Sequence, residues 1–156
     1  MPRRRPNIAM SELEQARFLT AGSTLTVASL GPGGVPHLVS MWYVVIDGLV
    51  HFTTYRDSQK VLNLRRDPRV TCLLEMGDSY AQLKGLVIQG NATIVDDVYF
   101  TARVRALVGE KHGFNSGDTP EAVTEGDAKR VVVRVHPVRC YSWDHARLTR
   151  ADEARV

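Results

Sequence analysis

The residues best suited to chemistry lie in one run, HFTTYRDSQKVLNLRRDPRV, from His51 to Val70. Thr53 and Thr54 end a strand-like segment, and Asp57 or Ser58 stands where a helix N-cap is expected. Gln59, Lys60 and Val61 then fall in the first helical turn. A helix start offers free backbone N–H groups, and here hydroxyls and the cations Arg56 and Lys60 stand beside it. That combination suits an anionic group, a phosphate above all. A lysine on a helix is usually a solvated residue, as the neighbouring Arg65 and Arg66 are expected to be. Lys60 is set apart by its place in the first turn, directly after a strand ending in hydroxyls. Asn63, one turn further on, shares its helix face on spacing alone.

Other constellations give way to plainer readings. SLGPGG, from Ser29 to Gly34, lacks the third glycine of a dinucleotide loop and precedes a strand rather than a helix. No GK[ST] phosphate loop is present. The five histidines show no pair at helical ligand spacing, and neither cysteine has a close partner, so no metal site is expected. His51 alternates within a strand and reads as structural. Asp144 and His145 read as two solvated residues near a fraying end, and no nucleophile has a visible partner.

The chain has 156 residues, 44% hydrophobic and 24% charged, which suits one soluble globular domain. Its net charge of +3 owes much to Arg3, Arg4 and Arg5, so no basic face for nucleic acid is expected. No apolar run approaches the roughly 18 residues needed to cross a bilayer, and no signal core follows the basic start. Cys72 and Cys140 sit in apolar strand-like runs and are expected to be buried thiols in a reducing cytoplasm.

The elements that must position the anion site follow from pattern. Residues 1–9 read as a basic flexible tail, 10–145 as the single domain, and 146–156 as a second flexible tail. Ser11 to Glu14 form a capping box that opens a short helix to Leu19. Leu25–Leu30 reads as a strand, Gly31–Pro36 as a turn, and His37–Ile46 as one long strand with Trp42 and Tyr43 facing opposite sides. Asp47-Gly48 is a hairpin turn into Leu49–Thr54. After the helix at Ser58–Arg66, a strand is predicted over Arg69–Met76 and another over Tyr80–Val95, whose Gly85 and Gly90 suggest bulges or bends. Phe100, Val104, Leu107 and Val108 form one apolar stripe on the main helix. Gly113–Gly126 reads as a loop with a helical turn near Pro120–Val123, and Arg130–Val135 and Val138–Trp143 as the last strands. Six or seven strands with tight turns and few helices make this a mainly β protein, a closed or nearly closed antiparallel barrel.

Taken together, PHLVSMWYVV, the Asp-Gly hairpin, VHFTT and SQKVLNLRRDPRV resemble the split β-barrel flavin and deazaflavin oxidoreductases. These are relatives of pyridoxamine 5′-phosphate oxidase, and the likeness is to the branch associated with the deazaflavin coenzyme F(420). The resemblance implies a homodimer with cofactor clefts at the interface. It implies that Ser40 and Met41 line the tricyclic ring through backbone groups and that Thr53 and Thr54 lie near the ribityl chain and phosphate. Ser58, Gln59 and Lys60 take the place of a Ser-Arg-Lys phosphate clamp. Gln59 removes one cation from it, leaving Arg56 as a substitute, and Tyr80 would line the site. The arginine-and-histidine signature that holds pyridoxamine phosphate is not evident in CYSWDHARLTR. The implied activity is hydride transfer from F(420) to a small conjugated or aromatic acceptor, with no catalytic side chain identified. The alternatives are an FMN-dependent oxidoreductase or oxidase of the same fold, and a cofactor-binding protein without turnover.

Overall fold

The structure, a computed structural model, describes residues 7–114 and 122–148. Its elements in chain order are α1 (Glu12–Ala21), β1 (Thr24–Leu30), β2 (Pro36–Trp42), β3 (Val44–Ile46), β4 (Leu49–Tyr55), α2 (Gln59–Arg66), β5 (Arg69–Met76), β6 (Lys84–Val95), α3 (Val98–Lys111), α4 (Glu125–Ala128) and β7 (Arg130–Asp144). The strands form one seven-stranded sheet in the order β2-β1-β5-β6-β7-β4-β3, with every neighbouring pair antiparallel. The two edge strands, β2 and β3, are consecutive in the chain, so the sheet curls until its edges almost meet. This is a split β-barrel.

The split is made at Tyr43. The sequence suggests a single strand over His37–Ile46, but β2 pairs with β1 while β3 pairs with β4. One strand cannot follow two diverging partners, and the ladder breaks between them. Tyr43 turns fully into the core there, and its hydroxyl donates to the Leu19 carbonyl of α1. Trp42 stays half exposed and stacks on His112, with ring centroids 4.2 Å apart. As alternation requires, only one of the two aromatics joins the core.

Two further strand boundaries differ from pattern. The chain before β6 makes a 3-10 turn over Tyr80–Gln82 rather than extending a strand from Tyr80. Its hairpin depends on Gly77 at φ 111°, where a Cβ would meet the Gln82 carbonyl oxygen at 2.3 Å. The last two predicted strands are one 15-residue strand, β7, with a register shift opposite Gln89 and Gly90. Gly90 there pairs with Pro137 and lies against the His136 carbonyl, 2.1 Å from where a Cβ would stand, and Val138 is the extra residue of the bulge.

The barrel interior holds Leu25, Val27, Tyr43, Val50, Phe52, Cys72, Leu86, Ile88, Val133 and Val135 among its buried residues. Outside it, the α3 stripe of Phe100, Val104, Leu107 and Val108 packs with Val44 and Val132, as its spacing predicts. The capping box of α1 forms: Ser11 N–H donates to Glu14 Oε2 at 2.7 Å, and Glu14 N–H to Ser11 Oγ at 3.3 Å. Cys72 is buried and Cys140 exposed, both as free thiols, so only one matches the expectation of burial.

The ends are docked. Asp144 N–H donates to the Ile8 carbonyl at 2.8 Å, Arg147 pairs with Glu14 at 2.6 Å, and His145 bonds the Tyr80 carbonyl at 2.8 Å. Asp144 and His145 are therefore held, not solvated. The remainder of the two expected tails, 1–6 and 149–156, lies outside the described residues, as do Pro120 and Glu121 of the expected Pro120–Val123 turn. The short helix falls later, at α4.

Candidate functional site: an anion-binding turn at the mouth of the split

β4 outruns its short edge partner. The β3–β4 ladder runs from Ile46 opposite Leu49 to Val44 opposite His51, so Phe52–Tyr55 continue without a neighbour on that side. On the other lip, β2 has no strand partner beyond β1 among the described residues. Ser40 and Met41 therefore lie on one lip and Thr53 and Thr54 on the other. Ser40 is exposed and Met41 points toward the core; Thr54 is buried and Thr53, by alternation, faces the opposite way.

The turn from β4 into α2 gathers the polar groups. Lys60 Nζ donates to Thr54 Oγ1 at 2.9 Å, and Thr54 Oγ1 lies 3.3 Å from Ser58 Oγ. Ser58, not Asp57, is the N-cap residue, yet its hydroxyl makes no capping bond. Its carbonyl takes the N–H groups of Val61 and Leu62, while those of Gln59 and Lys60 have no partner among the described residues. Lys60 has no carboxylate partner among the described residues either. Desolvation, with the like charge of Arg130 added, pulls its pKa below the ordinary lysine value. A partly buried ammonium and two hydroxyls thus meet beside a helix start with two free N–H groups, and among the described residues no carboxylate pairs with the ammonium. The donor set fits a phosphate.

Not every predicted residue joins this cluster. The Arg56 guanidinium is engaged by Asp96 and by the Ala128 carbonyl at 3.2 Å, so its charge is already answered. Asn63 is fully buried: it donates to Ser29 Oγ at 3.1 Å and accepts from Gln59 Nε2 at 2.8 Å. The spacing that put Asn63 on the Lys60 face does not hold, because α2 packs against β1 and turns Asn63 inward. Gln59 thus serves the helix. Tyr80 sits at the opposite end of β6: Lys84 pairs with Asp144 at that end, whereas Val95 pairs with Val132 beside Thr53. At ~3.3 Å per residue, the intervening strand separates Tyr80 from Lys60 by most of the barrel's length.

Sequence reasoning missed Arg130. It opens β7 directly opposite Tyr55, with its guanidinium carbon 4.2 Å from the Tyr55 ring centroid. Only the register of β4 on β7 reveals that neighbour, and no local pattern encodes it. His51 proves structural, as expected. Its Nδ1–H donates to the Leu49 carbonyl at 2.9 Å and its Nε2 accepts from Arg134 at 2.9 Å, which fixes a neutral ring. Among the described residues no cluster of histidine, cysteine or acidic side chains could hold a metal, and no helix is long and apolar enough to cross a membrane.

Comparison with known proteins agrees with this architecture. A conserved hypothetical protein of Mycobacterium tuberculosis is 44% identical over 94% of this chain and 92% of its own, with a TM-score of 0.84. An F(420) reductase is 22% identical over 80% of this chain and 93% of its own, TM-score 0.66. A FAD-binding protein of Mesorhizobium loti is 17% identical over 86% and 94%, TM-score 0.68. The latter two share the fold alone. No curated protein matches the sequence. The model of the pyridoxamine 5′-phosphate oxidase family matches residues 12–144, nearly all of the described barrel, and the chain belongs to that family.

Proposed function

We propose that the protein binds the deazaflavin coenzyme F(420) and uses it to reduce a small conjugated or aromatic acceptor. The observation that carries this reading is the Lys60 ammonium, partly buried against Thr54 and Ser58 with no carboxylate partner among the described residues. Buried charges are ordinarily paired, so a cation held this way awaits an anion from outside the chain. The phosphate of the coenzyme would take that place, and the split beside it would receive the flat ring along the backbone of Ser40 and Met41, with Thr53 at the facing lip. The chemistry supplied on this reading is hydride transfer to an acceptor stacked on that ring. The chain's own share is to fix the phosphate, orient the ring and exclude water.

The cluster lies open at the mouth of the split, so one chain alone would cover the ring poorly. The working unit on this reading is a homodimer, and the exposed Leu38 and Trp42 of β2 suit burial against a second copy. A reducing cytoplasm agrees with two free thiols. FMN is the second reading, favoured by the same donors, which recognise a phosphate that both cofactors carry. Holding a cofactor without turnover is the third reading.

Purified protein is mixed with reduced F(420) and a panel of enones and quinones, and reoxidation is followed by absorbance. Acceptor-dependent reoxidation supports the reductase. Tight binding without reoxidation favours the carrier, and yellow protein with flavin absorbance favours FMN.

A further inference from the structure

The last turn of α3 meets the barrel at the apex of the split. The body of the helix packs with Val44 and Val132, and its end reaches Trp42 and Tyr43, where β2 gives way to β3. Two consecutive residues make that contact in different ways. Lys111 Nζ donates to the Tyr43 carbonyl at 3.3 Å and stands 4.1 Å from the Tyr43 ring centroid, which anchors the helix end. His112 lays its imidazole on the Trp42 indole, with centroids 4.2 Å apart and planes 13° from parallel. One flat ring covers another.

The imidazole rests there against a penalty. Its Nε2 is buried and finds no hydrogen-bond partner among the described residues, so burial of that nitrogen opposes the gain from stacking. The His112 backbone is fixed, its N–H donating to the Val108 carbonyl at 3.1 Å. Rotation about χ1 can therefore carry the ring off the indole while the helix stays anchored through Lys111. Trp42 itself is 51% exposed. It shares a face of β2 with Ser40, two strand rises (~6.6 Å) away, beside the slot assigned to the cofactor ring.

We propose that Trp42 is a stacking platform for the flat acceptor, and that His112 is its internal placeholder, displaced when a planar ligand arrives. The inference rests on the reductase reading for naming that ligand the acceptor, and it narrows the class to conjugated rings recognised by their face rather than by charge. An arriving ring takes over the stacking on the indole and returns Nε2 to water, a gain that a saturated molecule of the same size cannot offer. The indole has two faces, and the one turned away from His112 remains for the second copy.

The test uses the full chain carrying Trp143→Phe, which leaves Trp42 as the single indole, with no F(420) or FMN added. Naphthol and its saturated counterpart decalol are titrated by calorimetry, and the Trp42 indole N–H resonance is followed by NMR. Naphthol is expected to bind in preference to decalol and to shift that resonance by its ring current. His112→Ala should raise naphthol affinity about two- to tenfold and leave decalol unchanged, whereas a merely structural histidine would give no such selective gain. His112→Phe, which stacks without a stranded nitrogen, should lower naphthol affinity, and Trp42→Leu should abolish the preference. A Trp42 resonance unmoved by naphthol overturns the platform. Equal or weaker naphthol binding in His112→Ala overturns the placeholder. Where Trp42→Leu does not fold, the two His112 variants decide, since both keep the indole. Because no cofactor is present, failure here is separate from failure of the cofactor reading, which F(420) and FMN titrations report on their own.

Discussion

Two helix starts in this molecule share a hydroxyl residue at the N-cap and end in opposite states. At α4, Thr124 and Asp127 form a complete capping box, and Asp127, fully buried, is gripped by Arg105 at 2.8 Å. Burial pushes the Asp127 carboxyl up, yet the Arg105 fork and the Thr124 N–H and hydroxyl outweigh it and hold the pKa below the ordinary value. At α2, Ser58 occupies the cap without capping, and Lys60 finds hydroxyls but no carboxylate among the described residues. Of the four α-helices among the described residues, α1, α3 and α4 are capped by a side chain and α2 is not. A closed network of this kind holds structure; an open one has capacity left for a ligand.

The contrast can be broken most sharply in stability. Asp127→Ala strands Arg105 and breaks the α4 capping box, and is expected to lower unfolding free energy by about 3 kcal/mol in denaturant titration. Lys60→Ala removes a desolvated cation that has no ion pair, so its melting temperature should stay level or rise. A loss in Lys60→Ala as large as that in Asp127→Ala would erase the distinction. The same lysine variant should weaken cofactor binding by about 1–3 kcal/mol, read by fluorescence or calorimetric titration.

Closing the open start sharpens the comparison further. Ser58→Asp supplies a stronger cap and a counter-ion for Lys60, and is expected to stabilise the fold by about 0.5–1 kcal/mol. It should at the same time reduce affinity for a phosphorylated cofactor about tenfold, because a carboxylate then occupies the anion's place. A variant that gains stability and keeps its affinity would show that the ligand phosphate sits elsewhere. The smallest effect concerns His51, whose pKa is held below 6.5 by desolvation, with Arg134 adding to it and the Leu49 carbonyl opposing. The unfolded chain binds a proton there more readily than the folded one. The stability from a neutral His51 is therefore complete above pH 6.5 and declines as pH falls from there toward the lower folded pKa. Melting temperatures between pH 7.5 and 5 should fall less in His51→Gln than in wild type; equal slopes would assign the acid sensitivity to another group.

What the sequence made legible was local. The α3 stripe, the α1 capping box, the Asp-Gly hairpin and the short helix after Thr54 all follow from spacing of a few residues, and the structure has each of them. What it concealed depends on partners distant in the chain. Tyr43 breaks a strand because β1 and β4 draw the chain apart. Arg56 is lost to Asp96, forty residues on, and Asn63 turns inward because Ser29 waits for it across α2. Arg130 becomes a neighbour of the turn only through the register of β7 on β4. Within the anion turn itself, Thr54, Ser58 and Lys60 come together as their order suggests, whereas the far end of β6 carries Tyr80 out of reach.

The most direct measurement is a side-by-side titration of wild type and Lys60→Ala with F(420) and with FMN. The account predicts that wild type binds one of these phosphorylated tricyclic ligands and that the variant binds it about 5- to 150-fold more weakly while remaining folded. Equal affinity in the two proteins, or binding of neither ligand by wild type, would contradict it.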